Sequence, residues 1–444
     1  MSEIIIRGGT ILSIDPEMHV LAGDVACVDD RLAQIGGRYI PQQKDFDVID
    51  ATGCIVMPGL VQSHVHMCQT LARGRADDLE LLDWLETVVW PYEGALSRDD
   101  VTAAARLACI ELLSGGTTAV LDMGTVHHTD ALFEVARDSG LRATIGKAMM
   151  DEPNPRIPAG LRETTQESLK ESQRLCREWH GRVGGRLRYA YAPRFVLSCT
   201  DELLTETARL ARNSGARIHT HASENRREIA TVKKLRGADN IVHLHNLGMT
   251  GTDVALAHCV WLSEKERGIL SETKTHVLHC PSSNLKLGSG IAEIPELIAE
   301  GVHVSLGADG APCNNNLDGF LEMRLAALIH KPRRGARAMP ASRVVKMATM
   351  GGAEALGLAD QIGSLQVGKK ADLIVVNPQR AHTVPALDPF SAIVYACRST
   401  DVRDVVVDGR VIVRDYELLT VDIDAAISDA RERANRVFAR LSGS

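Results

Sequence analysis

Apolar and polar positions change rhythm twice along the chain. From residue 1 to about 57, short apolar runs such as Ile4-Ile5-Ile6, Thr10 to Ile14, Val25 to Val28, Val48-Ile49 and Ile55-Val56 alternate with turns, among them Gly8-Gly9 and Gly36-Gly37. Short runs bounded by glycine predict small antiparallel β structure. The same style returns in Gly363 to Val376 and Val402 to Val413. Either end alone has too few strands to bury a face. The two ends are therefore expected to pair into one discontinuous β-sandwich domain, residues 1–57 with 363–444, closed by a polar helix from about Asp422 to Leu441.

Between the ends, residues 58–362, strand and helix signals alternate, which is the pattern of parallel β/α units. The expected strands are Met57–Val65, Thr117–Met123, Arg142–Met149, Leu187–Ala192, Ala216–His221, Val254–His258, Thr275–His279 and Val302–Gly307. Helical stretches at Asp99 to Ser114, Thr129 to Ser139, Thr164 to Trp179 and Thr200 to Asn213 separate them, several closing near a glycine as helix C-termini do. Eight strands make an α/β fold of the (β/α)8 TIM barrel type. After strand one, Leu81, Trp84, Leu85, Val88 and Val89 repeat at helical spacing, and Pro91 is expected to end that helix. Trp84 and Trp90 read equally well as core anchors or as pocket lining.

Composition narrows the class. A chain of 444 residues with 45% hydrophobic content can bury a barrel and an accessory domain. A net charge of -7 gives no basic footprint for nucleic acid, and the basic run Lys331 to Arg337 reads as a solvated loop. The ten cysteines are scattered without a Cys-x-x-Cys pair and read as free thiols. Met1 to Gly9 opens into an Ile-rich strand without a basic leader, and no apolar run reaches membrane-spanning length. A cytoplasmic protein that uses no membrane is expected.

In such a barrel the chemistry sits at the C-terminal strand ends, and polar residues gather there. His64 and His66 end strand one, and because strand side chains alternate with period two, both imidazoles can reach one metal ion. Strand five ends in His219-Thr220-His221-Ala222-Ser223-Glu224, strand six in Ala257-His258-Cys259 and strand eight in Gly307-Ala308-Asp309-Gly310. A lone histidine is commonly a satisfied core residue; polar residues at four strand ends are harder to dismiss. Three imidazoles and a carboxylate suit zinc or a similar divalent ion and leave a position for water. His64, His66, His221 and Asp309 are assigned as ligands. His219 shares the face of its strand and competes with His221, which lies nearer the strand end. No lysine ends strand four, Lys147 ending strand three instead, so one divalent ion is expected: zinc first, with manganese or iron as alternatives.

The set Pro58-Gly59-Leu60, His64-Val65-His66, His221-Ala222-Ser223-Glu224, His258-Cys259, Ser282 to Gly288 and Leu306 to Ala311 resembles the amidohydrolase superfamily over nearly the whole chain. Within it the chain is similar to deaminases of 5′-deoxyadenosine, methylthioadenosine and S-adenosylhomocysteine, a branch that includes s-triazine chlorohydrolases. That resemblance implies hydrolytic release of ammonia, the metal generating hydroxide at the reacting carbon. Asp309 would take the water proton and deliver it to the leaving ammonia, Glu224 would protonate the ring nitrogen, and His258 would hold the attacking group in line. Glu93, after Trp90-Pro91-Tyr92, matches the position that accepts ribose hydroxyls in adenosine-type deaminases. Ala192-Pro193-Arg194-Phe195 and Gln69 look closer to guanine deaminases. Gln69, Trp84, Glu93 and Arg194 are the expected substrate contacts, with Glu93 and Arg194 touching different portions of a small heterocyclic substrate. A homo-oligomer is expected. The rivals are a guanine, pterin or s-triazine hydrolase on the same scaffold, and a barrel that serves only as a scaffold.

Overall fold

The computed structural model describes residues 2–442. Eight parallel strands form the barrel wall: Leu60–His66, Thr117–Met123, Arg142–Met149, Leu187–Pro193, Arg217–Ala222, Val254–His258, His276–His279 and His303–Leu306, called strands one to eight below. A two-residue strand, Asp309–Gly310, runs on from strand eight and pairs with Val65 and His66 of strand one. The barrel interior is filled by small and branched residues, among them Val61, Ala119, Leu121, Ala190, Ala255 and Leu278. Alanine dominates because helix Gly352–Leu356 also enters that interior from below.

Helices cover the outside, and their starts follow local chemistry. Ser97, Thr164, Asn225 and Ser263 each cap a helix reciprocally with an acidic residue three positions on. Helix Arg98–Ser114 buries an alanine-rich face, Ala104, Ala105 and Ala108, so the barrel wall approaches closely.

The chain ends build a separate nine-stranded sheet. Its two halves meet where Ile55–Pro58 pairs antiparallel with Leu373–Val376, as the shortage of strands at either end predicts. The expected strand Met57–Val65 is two strands, broken at Gly59: Met57 and Pro58 belong to the end sheet and Leu60 onward to the barrel. A Cβ on Gly59 would lie 2.1 Å from the Thr118 hydroxyl, so only glycine lets the chain pass from one sheet to the other there. Arg142 ties the two together, its guanidinium meeting Asp372 at 2.7 and 2.9 Å and Asp408 at 3.0 Å.

A second departure concerns the helix after strand one. It does not stop at Pro91 but runs from Leu81 to Gly94, with a π turn at Leu85–Val89 just before the proline. The wider turn takes a residue that has no N–H to give and whose ring would clash in a regular α turn. The closing helix is Ile423–Ser442. All ten cysteines are free and buried. No described helix is long and apolar enough to cross a membrane.

Candidate active site

Strand alternation brings His64 and His66 to the barrel mouth together, where both are buried. Strand five contributes His221 and the segment after strand eight Asp309. One donor atom from each of His64, His66, His221 and Asp309 lies within 4.8 Å of all the others. His64 Nε2 is 3.2 Å and His66 Nε2 3.4 Å from Asp309 Oδ1.

The hydrogen bonds around the ring state what the cluster is built to hold. His66 Nδ1 donates to the Met123 carbonyl at 2.7 Å, and His221 Nδ1 donates to the Arg194 carbonyl at 2.7 Å. Burial keeps both rings neutral, pushing His66 down to about 3 and His221 well below its ordinary value. A neutral imidazole that donates from Nδ1 carries only a lone pair on Nε2. The two Nε2 atoms nevertheless face each other at 3.3 Å. Two lone pairs at that distance want a cation between them, and His64 Nε2, buried without a hydrogen-bond partner, adds a third. The donor set fits one divalent ion.

Asp309 is buried, which alone would raise its pKa, yet the close approach of His64 and the facing His258 and His66 imidazoles hold it well below the usual carboxylate range. Ser283 Oγ donates to its Oδ2 at 2.6 Å and its own neighbour Gly310 N–H to Oδ1 at 2.8 Å. His258 Nε2 lies 3.4 Å from Glu224 Oε2 and 3.9 Å from Asp309 Oδ2, and its Nδ1 donates to Asn284 Oδ1 at 2.9 Å. Burial opposes charge on His258, but Glu224 and Asp309 carry it upward. Glu224 is pushed up to about 7, chiefly by burial, with His258 opposing and the Asp309 and Glu228 charges adding. His258 and Asp309 sit at φ +73° and +62°, a region unfavourable for side chains of L-residues, where strain collects at functional positions.

Four residues that sequence reasoning did not assign support this set. Ser283 and Asn284 lie in the Ser282 to Gly288 stretch, and Ser289, just beyond it, donates to Glu224 Oε1 at 3.2 Å. Glu228 accepts from the Glu224 N–H at 2.8 Å and the Asn225 N–H at 3.2 Å, fixing the backbone under the acid. The Asn225-x-x-Glu228 spacing of a capping box was its legible signal. His219 is buried beneath the ligands with Nε2 2.8 Å from His64 Nδ1; it backs a ligand while His221 stands in the ring.

Above the ring, Leu81, Trp84, Leu85 and Leu287 roof a small cavity whose wall includes Arg194. Trp84 and Arg194 thus reach it. Glu93 and Gln69 stand behind: Arg194 meets Glu93 at 2.5 and 3.2 Å, and Gln69 Nε2 donates to Glu93 Oε1 at 2.7 Å. Glu93 and Arg194, expected to touch different portions of a ligand, meet each other as one buried ion pair in this wall.

The sequence profile described as the amidohydrolase family matches residues 55–412. A 5′-deoxyadenosine deaminase of Methanosarcina acetivorans is 39% identical over 444 residues, covering all of both chains. A 5-methylthioadenosine/S-adenosylhomocysteine deaminase of Syntrophobacter fumaroxidans is 39% identical over 440 residues, 98% of each chain. Among solved structures, an adenosine deaminase from Xanthomonas campestris with bound zinc superposes with a TM-score of 0.92 at 31% identity, covering 98% of both chains.

Proposed function

The chain belongs to the amidohydrolase family, and from that premise we propose that it is a metal-dependent hydrolytic deaminase of an adenosine-like nucleoside of the 5′-deoxyadenosine, methylthioadenosine or S-adenosylhomocysteine type. The observation that carries this reading is the buried ring of His64, His66, His221 and Asp309 with Glu224 and His258 beside it in one cavity. The relatives that match from end to end are deaminases of such nucleosides.

His64, His66, His221 and Asp309 would hold the ion, zinc being the metal of the Xanthomonas neighbour. Bound there, a divalent ion supplies Lewis acidity, bringing the ionisation of water near neutral pH. Asp309 keeps Oδ1 toward the ring while Oδ2, steadied by Ser283, is free to accept the proton of the attacking water and later pass it to the departing nitrogen. Glu224, held near neutrality by burial, can carry a proton at rest and give it to the ring nitrogen next to the attacked carbon. His258 faces both carboxylates, so a protonated imidazole offsets their negative charge and can hold the attacking water in line. Trp84 offers an aromatic face to the base, and Arg194, locked by Glu93 and Gln69, presents a fixed donor.

The test is ammonia release by the metal-loaded enzyme against 5′-deoxyadenosine, methylthioadenosine, S-adenosylhomocysteine, guanine, a pterin and an s-triazine. A nucleoside should lead by kcat/KM. Preference for guanine or the pterin would shift the reading to a base hydrolase, which the Gln69–Glu93–Arg194 cluster favours as the second choice. Glu224→Gln should keep its metal and slow turnover about 100-fold to 10,000-fold; loss of metal instead would place Glu224 among the ligands.

A further inference from the structure

The opposite end of the barrel carries charge that this reaction does not use. The alternation that points His221 and His219 inward at the end of strand five also points Arg217 inward at its start. Arg188, near the start of strand four, faces inward beside it, in register with Thr144 of strand three. Arg188, Arg217, Arg212 and His180 line a cavity of about 430 Å³ at the N-terminal face of the barrel. Arg217 stands four positions before His221, about 13 Å along a strand, so this cavity is distinct from the catalytic one.

Its charges do not balance. Asp253 is the carboxylate in its wall and is engaged by Arg212, Nε to Oδ2 at 3.2 Å. Arg212 spends Nη2 on the Gly248 and Thr250 carbonyls. Arg217 donates Nη1 to the Thr252 carbonyl at 2.6 Å, but its Nε and Nη2 are buried with no partner. Arg188 reaches the Gly185 carbonyl only at 3.4 Å, beyond a normal hydrogen bond. The nearby Arg142 is already paired with Asp372 and Asp408, and Asp360 is the carboxylate that faces Arg188. Burial lowers Arg217 to about 10 and Arg188 below its ordinary value. His180 accepts the Tyr189 N–H at Nδ1, which leaves Nε2 as a donor in its neutral form. The wall therefore sets three guanidinium groups against Asp253, already engaged by Arg212, and Asp360, which faces Arg188, so that Arg217 is left without a carboxylate of its own, and a buried cation without a counter-charge is costly.

We propose that this cavity binds a small oxyanion of the phosphate class, held by Arg188 and Arg217 with His180 as a further donor. Guanidinium forks match the oxygen spacing of such anions. An anion there neutralises charge beneath the strand that carries His219 and His221, so its binding stabilises the folded barrel by mass action.

Thermal unfolding of the metal-loaded enzyme with increasing inorganic phosphate, chloride holding the ionic strength, tests this. A parallel titration with ribose 5-phosphate asks whether the anion is free or part of a phosphorylated metabolite. A saturable rise in Tm is expected, with apparent affinity reduced at least about tenfold in Arg217→Gln and in the half-buried Arg188→Gln. Tighter binding of either anion supports the site and identifies its source. Ammonia release by Arg188→Gln in chloride should stay within about twofold of wild type, which separates this site from the catalytic reading. The absence of a saturable rise, or a rise retained by both variants and hence seated at the metal ligands, overturns the proposal.

Discussion

His219 shows how much a single residue behind the metal ligands decides. His64 can offer Nε2 to an ion as a neutral ring only if Nδ1 keeps its proton, and the partner that can accept that proton's hydrogen bond is His219 Nε2 at 2.8 Å. Burial holds His219 well below its ordinary pKa, so its Nε2 stays available as an acceptor. His219→Leu removes the acceptor while keeping an apolar body in the wall. Metal affinity, read by competition with a fluorescent chelator, should fall about 10-fold to 100-fold, the usual effect of losing a group that orients a ligand. Unchanged affinity would show that His64 is fixed by packing alone.

At the scale of elements, the helix Leu81–Gly94 controls access. Its residues Leu81, Trp84 and Leu85 roof a cavity of about 20 Å³, room for about one water. Small-molecule sites are usually about 300–1,000 Å³, so the roof is expected to lift for a nucleoside to enter. The π turn at Leu85–Val89 supplies a place for bending, since the ladder widens there, the Trp90 N–H reaching the Leu85 carbonyl, and Pro91 has no N–H to give. The outer side is held by exposed ion pairs from Arg227 to Glu80 and Asp83, each worth little in water. Amide hydrogen exchange over residues 81–94 should therefore be faster than over helix Arg98–Ser114 in the free enzyme and slow markedly when a non-hydrolysable nucleoside analogue binds. Equal protection with and without the analogue would mean the roof does not gate the site.

For the whole molecule, the barrel and the end sheet are joined at Arg142, which is 1% exposed and meets two carboxylates from the C-terminal part of the chain. Removing Arg142 leaves Asp372 charged and buried, while the partly exposed Asp408 keeps Lys370, a loss of about 3–5 kcal/mol. Arg142→Ala should reduce unfolding stability in urea by that order, whereas Arg98→Ala, which breaks the exposed pair with Glu134, should change it by less than about 1 kcal/mol. Similar losses in both would show that the buried junction has no special weight.

Much of this was legible in the sequence because it is periodic. Alternation by two puts His64 with His66, and His219 with His221, on single faces; apolar strands spaced by amphipathic helices give the barrel; two strand-poor ends must pair. The chemical type of each strand-end residue also narrows the donor set to three imidazoles and a carboxylate. Other features depended on residues far apart in the chain, whose meeting no local period records. His221 could be preferred to His219 from its place nearer the strand end, but only the folded barrel shows that His219 backs His64, its Nε2 against His64 Nδ1. Only the fold turns Glu93 and Arg194, 101 positions apart, into one ion pair rather than two independent contacts. The helix through Pro91 was misread because a proline is scored locally as a stop, while the π turn that accommodates it belongs to a helix whose Leu81, Trp84, Leu85 and Val89 are packed into the core. Position along the chain fixes which face a side chain takes; distance across the barrel fixes what it meets.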